Sequence, residues 1–199
     1  MKKFVLFCSV LFLINNAFAY DVPKNEQYYK SQIQNQRFLY STVGIMNAIQ
    51  KGNAEAVEMF MKAGFDPNDS YAGTPLIIYA IHQNQPECLE ALLNAGGNPE
   101  TSIPPMFVTA KSINALNYAI KKKSSTMVKS LIDHKVDVNK EFAGQLPINR
   151  ALKNKQSKIV ELLLNAKAVP NEKTLKLAKK SKDEYTKDLF VKYWEADEK

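Results

Sequence analysis

Side chains that could perform acid–base, nucleophilic or metal chemistry are few in this sequence and are not grouped. The two histidines, His82 and His134, lie in different parts of the chain, without the His-Glu-x-x-His, paired-cysteine or clustered-aspartate patterns of metal sites. Cys88 falls at an apolar helical position that suits a small core residue better than a nucleophile. Glycine is scarce, at seven residues, and no glycine-rich phosphate loop is present. The sequence therefore predicts no catalytic residue, metal ligand or cofactor.

The first 19 residues follow the three-part pattern of a secretory signal peptide. A basic start at residues 1–3 precedes an apolar run at residues 4–14, and the small residues Ala17 and Ala19 suit signal peptidase. The apolar run is shorter than the roughly 20 residues that span a bilayer. The small residues therefore predict cleavage after Ala19. Because the short Lys-rich leader looks bacterial, we expect a periplasmic location, with secretion as the alternative.

The composition suits one soluble unit with an apolar core, since 45% of the 199 residues are hydrophobic and 24% are charged. Cys88 is the one cysteine beyond the predicted leader, so stability must come from apolar packing and not from a disulfide. The net charge is +7, or about +5 without the two lysines of the leader, and such a positive charge raises the question of a nucleic-acid partner. Nucleic acid is not expected as a partner, because an exported protein is separated from it and because no nucleic-acid recognition motif accompanies the lysines. We expect a free monomer without an integral membrane segment after cleavage, and a membrane-surface role for the lysines stays open.

A fourfold internal repeat is the strongest pattern in the chain. A small alanine followed by an aliphatic residue recurs with spacings of 32, 39 and 32 residues, at Ala48, Ala80, Ala119 and Ala151. Fifteen residues after each alanine lies a second landmark that follows an apolar stretch: Ala63, Ala95, His134 and Ala166. The spacing of the apolar residues predicts two short helices in each unit. Neither helix can bury its apolar stripe alone, so neighbouring units must stack.

The repeat resembles the ankyrin repeat, which is about 33 residues long and opens its first helix with Thr-Pro-Leu-His. That opening survives at Leu146–Asn149 and, one place out of phase with the next alanine, at Thr74–Leu76. The consensus histidine is absent from all four units. The resemblance implies an all-α ankyrin-repeat solenoid of about four helix-turn-helix repeats over residues 42–171.

Both ends of such a stack need a polar outer face. We expect residues 20–41 to form an N-terminal cap, with an amphipathic helix from Lys24 to Tyr40 and with Tyr28, Ile33 and Leu39 as candidates for its packed side. The repeats should occupy about 42–73, 74–112, 113–144 and 145–171. Residues 172–199 should form a degenerate helical pair, from 172 to 182 and from 184 to 194, which buries Leu175, Leu177, Ala178, Leu189, Phe190 and Trp194.

The third repeat spacing exceeds its neighbours by seven residues, and the extra length lies between Asn98 and Ser112. Because Pro104-Pro105 cannot continue a helix, this segment should form an enlarged loop at the middle finger of the stack. Its apolar residues either pack down over the helices beneath or reach a partner, and in the second case Met106 and Phe107 make the contact.

Two other fingers match each other, Tyr71-Ala72-Gly73 and Phe142-Ala143-Gly144. The resemblance places an aromatic residue at such a tip on the concave side of the stack. Aromatic residues carry much of the binding energy in protein interfaces, so Tyr71 and Phe142 are candidate contacts. The alternative is that each ring packs along the neighbouring finger.

Ankyrin proteins also bind through the two variable residues that end each first helix. By resemblance, this row is Gln50 and Lys51, His82 and Gln83, Lys121 and Lys122, then Lys153 and Asn154. The row becomes basic along the chain, which should favour an acidic partner and speed encounter. The alternative is that these lysines are ordinary solvated residues.

The resemblance implies a protein-binding module that is not an enzyme. Its leader and size are similar to those of exported bacterial ankyrin proteins that serve as immunity proteins, which sequester a toxic effector such as a type VI secretion phospholipase. Two alternatives remain: an envelope scaffold or stress-protection protein, and an effector exported to bind a host protein.

Overall fold

The structure, a computed structural model, describes residues 24–103 and 113–197, with the backbone alone for residues 194–197. The predicted leader at residues 1–19 and the two candidate contacts Met106 and Phe107 lie outside the described residues. The helices in the described part are α1 (Glu26–Asn35), α2 (Thr42–Gln50), α3 (Ala54–Lys62), α4 (Leu76–His82), α5 (Pro86–Asn94), α6 (Ala115–Lys121), α7 (Ser125–Asp133), α8 (Pro147–Lys153), α9 (Ser157–Asn165), α10 (Glu172–Lys179) and α11 (Glu184–Asp197). None of them has both the length and the apolar character needed to cross a bilayer.

Two short antiparallel hairpins project between the helix pairs. The first joins β1 (Ser70–Tyr71) to β2 (Thr74–Pro75), and the second joins β3 (Ser102–Ile103) to β4 (Ile113–Asn114). We call the chain segments that lead from one helix pair to the next the fingers of the stack.

The helices form two parallel rows. The inner row contains α2, α4, α6, α8 and α10, and each of these packs against the next member of its row. The outer row contains α1, α3, α5, α7, α9 and α11, which pack in the same sequence. The predicted all-α solenoid is therefore confirmed, with α1 as the outer helix of a half unit and α10 with α11 as a final pair.

The repeat alanines of the inner row lie in the core. Ala48, Ala80, Ala119 and Ala151 are completely buried in the core. They belong to one hydrophobic core that runs through all the helix pairs, and Phe60, Leu89, Leu131 and Leu163 of the outer row are also completely buried. A larger side chain at such an alanine would have to displace a neighbouring helix.

Five of the outer helices, α1, α3, α5, α7 and α9, end in the same hydrogen-bonded turn. At the end of α3, the amide of Gly64 donates to Met61 O and the amide of Phe65 donates to Phe60 O, each at 3.0 Å. This pattern requires a left-handed residue, and Gly64 has φ of +86°. Lysine takes the same place at Lys135 (φ +67°) and Lys167 (φ +65°), so the hydrogen bonds outweigh the strain of a side chain there.

The prediction for the N-terminal helix was wrong about its end. α1 stops at Asn35, because Arg37 adopts φ of +63° and turns the chain. As a result Phe38 points into the core with 6% exposure, and Leu39, which we expected to pack, is 74% exposed. Ile33 is buried as expected, and Tyr28 is half-buried.

The C-terminal pair is present, but α10 ends at Lys179 and not at residue 182. Asp183 begins the next helix, since its carboxylate accepts a hydrogen bond from the amide of Thr186 at 3.2 Å. Ala178 and Phe190 are buried, while Leu175, Leu177 and Leu189 are half-buried. The side chain of Trp194 lies outside the described residues.

Candidate functional site

The first finger is a two-residue hairpin that holds Tyr71 at its tip. Tyr71 pairs with Thr74, and the two residues between them, Ala72 and Gly73, have φ of +49° and +76°. Two consecutive left-handed residues fit the right-handed twist of a tight hairpin. The Tyr71 side chain is 47% exposed, so its ring is available at the surface.

The finger at Phe142 has the same turn. The amides and carbonyls of Phe142 and Gln145 exchange hydrogen bonds of 3.1 and 3.2 Å, and Ala143 and Gly144 have φ of +53° and +67°. Phe142 is half-buried, in contrast to the exposed Tyr71. The match between the two fingers therefore extends from sequence to backbone geometry, and the binding role of both rings stays a prediction.

The enlarged middle finger is closed at its base. Ser102 pairs with Asn114 and Ile103 pairs with Ile113, and Ile103 packs against the core. The Asn114 side chain then begins α6 by accepting from the amide of Asn117 at 2.9 Å. Residues 104–112, with Met106 and Phe107, connect these two strands in the sequence and lie outside the described residues.

The predicted row lies at the ends of the inner helices, as the resemblance implied. Gln50, Lys51, His82, Lys121, Lys153 and Asn154 are exposed, whereas Gln83 and Lys122 are half-buried. Lys121 and Lys153 form no ion pair with any described residue.

Two members of the row bind each other across the α4–α6 junction. The Lys122 ammonium donates to His82 O at 2.7 Å and lies 5.6 Å from the centre of the Tyr118 ring. The Tyr118 hydroxyl lies 3.1 Å from His82 Nδ1. Burial, and after it the charge of Lys122, lowers the pKa of His82, so the imidazole is neutral at neutral pH. Lys122 is thus part of the connection between repeats and not a free cation of the row.

Sequence reasoning missed three residues on the same helix faces. Tyr79, Tyr118 and Arg150 each directly precede a repeat alanine and are half-buried. Residues three apart share a helix face, so Tyr79 lies beside His82, and Arg150 beside Lys153. Arg150 Nε also donates to Asn117 Oδ1 at 2.8 Å. Their place before the alanine was the signal that could have identified them.

A ladder of side-chain hydrogen bonds joins the loops that precede the fingers. Asn68 Oδ1 accepts from the amide of Asn98 at 2.8 Å, and Asn139 Oδ1 accepts from the amide of Val169 at 2.7 Å. Glu100 takes the equivalent place in the intervening loop and accepts from the amide of Asp137 at 2.6 Å. Each loop is therefore bonded to the one before it, which connects successive fingers.

Cys88 occupies the core position expected for it and is completely buried. Burial and the nearby Glu87 carboxylate raise the pKa of the thiol to about 11, so the reactive thiolate is scarce at neutral pH. Among the described residues, His, Cys, Asp and Glu form no group of three that could hold a metal ion.

Paired helices in two rows, connected by the fingers, define a helical repeat solenoid. The chain belongs to the ankyrin repeat family: the model for "Ankyrin repeats (3 copies)" matches residues 10–103 and 104–174. Ankyrin repeats are protein–protein interaction modules, typically without catalytic activity.

Curated relatives come from a fungus and a virus. The ankyrin repeat domain-containing protein SAT10 of Stachybotrys chartarum is 30% identical over 127 residues, which is 63% of this chain and 6% of that protein. An ankyrin repeat protein of fowlpox virus, FPV014, is 25% identical over 129 residues, or 64% of this chain and 28% of its own length. The similarity therefore spans only a small part of each relative.

Proposed function

We propose that this protein binds another protein on its concave surface and thereby sequesters or inhibits it. The concave surface consists of the finger tips and the exposed faces of the inner helices. The observation that carries the proposal is that successive repeats expose side chains at a finger tip or at the end of an inner helix, namely Tyr71, His82, Lys121 and Lys153, with the half-buried Tyr79 and Tyr118 on the same inner helices.

The composition of this surface supports a protein ligand. Tyrosine and arginine are enriched among the residues that contribute most to interface affinity, and Tyr71, Tyr79, Tyr118 and Arg150 supply both types. Lysine side chains at one end add long-range attraction for an acidic partner, which raises the rate of encounter. The stacked repeats hold these side chains on rigid elements, so little order has to be gained on binding.

We further propose that the protein acts in the periplasm as an immunity protein that covers the active site of a secreted toxic enzyme, such as a phospholipase. The leader pattern of residues 1–19 supports export. The resemblance to exported bacterial ankyrin proteins of similar size supports the immunity role, whereas the curated relatives are fungal and viral. Inhibition would be steric, with Tyr71, Phe107 and Phe142 as anchors.

Affinity purification from a periplasmic extract tests this role. A tagged chain carrying its leader should lose residues 1–19, which intact-mass measurement detects, and should retain one hydrolase in equal amount. Recovery of many envelope proteins at low ratio would favour the scaffold alternative. A chain that keeps its leader and stays in the cytosol would contradict the periplasmic role.

The contribution of the finger tips can be measured separately. Replacing Tyr71 and Phe142 together by alanine should raise the Kd for the purified partner by roughly tenfold to a hundredfold, because aromatic anchors are lost. The melting temperature should change little. Tyr185→Ala is the control, since Tyr185 is also about half exposed but lies on the outer helix α11. A large loss of stability in the double variant would mean that the rings serve packing and not binding.

A further inference from the structure

A groove separates the last helix pair from the repeat before it. One wall is the loop between α8 and α9, and the other is the loop between α10 and α11. The groove encloses about 570 Å³, which lies within the roughly 300–1,000 Å³ range of ligand pockets. We call it the end groove.

The end groove carries lysines on both of its walls. Lys153 is the last residue of α8 and Lys155 follows it in the α8–α9 loop, while Lys180 and Lys182 belong to the α10–α11 loop. All four are exposed, and none forms an ion pair with a described residue. Both walls therefore contribute lysines to the lining of the groove.

One acidic residue, Asp183, also lines the end groove. Its carboxylate is bound by the hydroxyls of Ser157 and, at 2.6 Å, of Thr186. The same two hydrogen bonds, that of Ser157 foremost, lower the pKa of Asp183, so it remains charged and holds the two walls together. Four lysines and one aspartate leave the groove with a net positive charge.

The floor of the end groove is apolar. Leu152 and Leu177 line it and are only half-buried, so part of each side chain remains accessible. Val160 lies beneath them in the core. An occupant that fits this arrangement places an apolar side chain on the floor and carboxylates beside the lysines of both walls.

We infer that the end groove binds a short, extended, acidic segment of the partner protein, in which an apolar residue is flanked by carboxylates. The inference rests on the proposed partner binding, because Lys153 belongs both to the concave surface and to the groove. Lysine suits the edge of such a site, since it is depleted from the centre of protein interfaces and tolerated at the rim. A recess with charges on facing walls fits a chain segment better than it fits a flat bilayer.

A labelled peptide tests the groove without the natural partner. The probe is a short peptide in which one leucine is flanked on both sides by glutamates, and binding is followed by fluorescence anisotropy at low salt. Replacing Lys153, Lys155, Lys180 and Lys182 by glutamine should weaken binding roughly tenfold, as expected for several exposed ion pairs. A peptide with serine in place of leucine should also bind more weakly, because the floor then gains no contact.

The control variant removes the same charge elsewhere. Lys24, Lys135, Lys167 and Lys173 are exposed, have no ion pair among the described residues and lie outside the groove. Their replacement by glutamine should leave peptide binding nearly unchanged. Equal loss in both variants, or tighter binding to phosphatidylglycerol vesicles than to the peptide with the same lysine dependence, would overturn the inference. If a partner co-purifies equally well with the groove variant, the groove inference fails while the proposed function stands.

Discussion

Asparagine side chains connect neighbouring repeats through hydrogen bonds. In the loop before each finger, Asn68 and Asn139 bond to the next repeat through both amide atoms, to a backbone N–H and a backbone carbonyl. Glutamate at the equivalent position, Glu100, can accept a hydrogen bond and also pairs with Lys140 at 2.9 Å. The Asp/Asn-x-Asn/Glu pattern of these loops is thus explained by contacts between repeats.

Asn139→Ala tests this connection. The change removes the bond from Nδ2 to Lys167 O and leaves the amide of Val169 without its acceptor. We expect the free energy of unfolding to fall by about 1–2 kcal/mol, measured by urea denaturation. Asn165→Ala is the matched control, because Asn165 is exposed and forms no side-chain hydrogen bond with a described residue. Equal effects of the two changes would contradict the ladder.

The buried thiol of Cys88 gives a chemical measure of the core. With its pKa raised to about 11, roughly one thiol in a thousand is ionised at pH 8. In protein without residues 1–19, where Cys88 is the one cysteine, Ellman's reagent should therefore modify the folded state slowly at pH 8 and the urea-unfolded state within seconds. Rapid modification of the folded protein would show that α5 opens readily or that Cys88 is accessible.

At the scale of elements, the inner helices are short and depend on close contact. α4, α6 and α8 each have seven residues, and the repeat alanine is the fifth residue in all three. Helices of this length have little stability in isolation, so packing and not propensity maintains them. The alanine at this position is completely buried in all three helices, so a larger side chain has to displace its neighbours.

Ala119→Leu measures this constraint. Three additional carbon atoms at a completely buried position should overpack the junctions of α6 with α4 and α8. We expect a loss of about 1–3 kcal/mol in the free energy of unfolding. Ala95→Leu is the control, since Ala95 is exposed at the end of α5, and it should change stability by less than about 0.5 kcal/mol. Similar losses for both would argue against close packing at Ala119.

Across the whole molecule, charge is distributed unevenly along one edge of the stack. Glu55 and Glu87 lie in the first turns of α3 and α5, whereas Ser125 and Ser157 begin α7 and α9. The loops between inner and outer helices become rich in lysine toward the C-terminal end, where the end groove lies. An acidic partner should therefore approach that end first.

Association kinetics test this asymmetry. Changing Lys121 and Lys153 together to glutamate should slow association with an acidic partner by about tenfold at low salt, because two attractive charges become repulsive. The difference should shrink as salt is added. The matched control is Lys135→Glu with Lys173→Glu, on exposed residues outside the basic row. An unchanged association rate in the first variant would remove the steering role.

The sequence by itself determined the repeat architecture, because period, alanine positions and apolar spacing are local requirements repeated in each unit. The same reasoning located the fingers and the exposed row at Lys121 and Lys153. It failed where the backbone of a single residue turns the chain. The positive φ of Arg37 ends α1 early, so that Phe38 and not Leu39 is buried in the core.

Only the tertiary structure decided which polar side chains remain available for binding. Lys122 and Lys121 are neighbours of the same type, yet Lys122 bonds to His82 in the adjacent repeat and Lys121 does not. Likewise, Lys155 and Lys182 share one groove because the fifth inner helix packs on the fourth. These contacts join residues about 30 or more positions apart. They depend on how neighbouring repeats are aligned on each other, which the sequence around either residue does not specify.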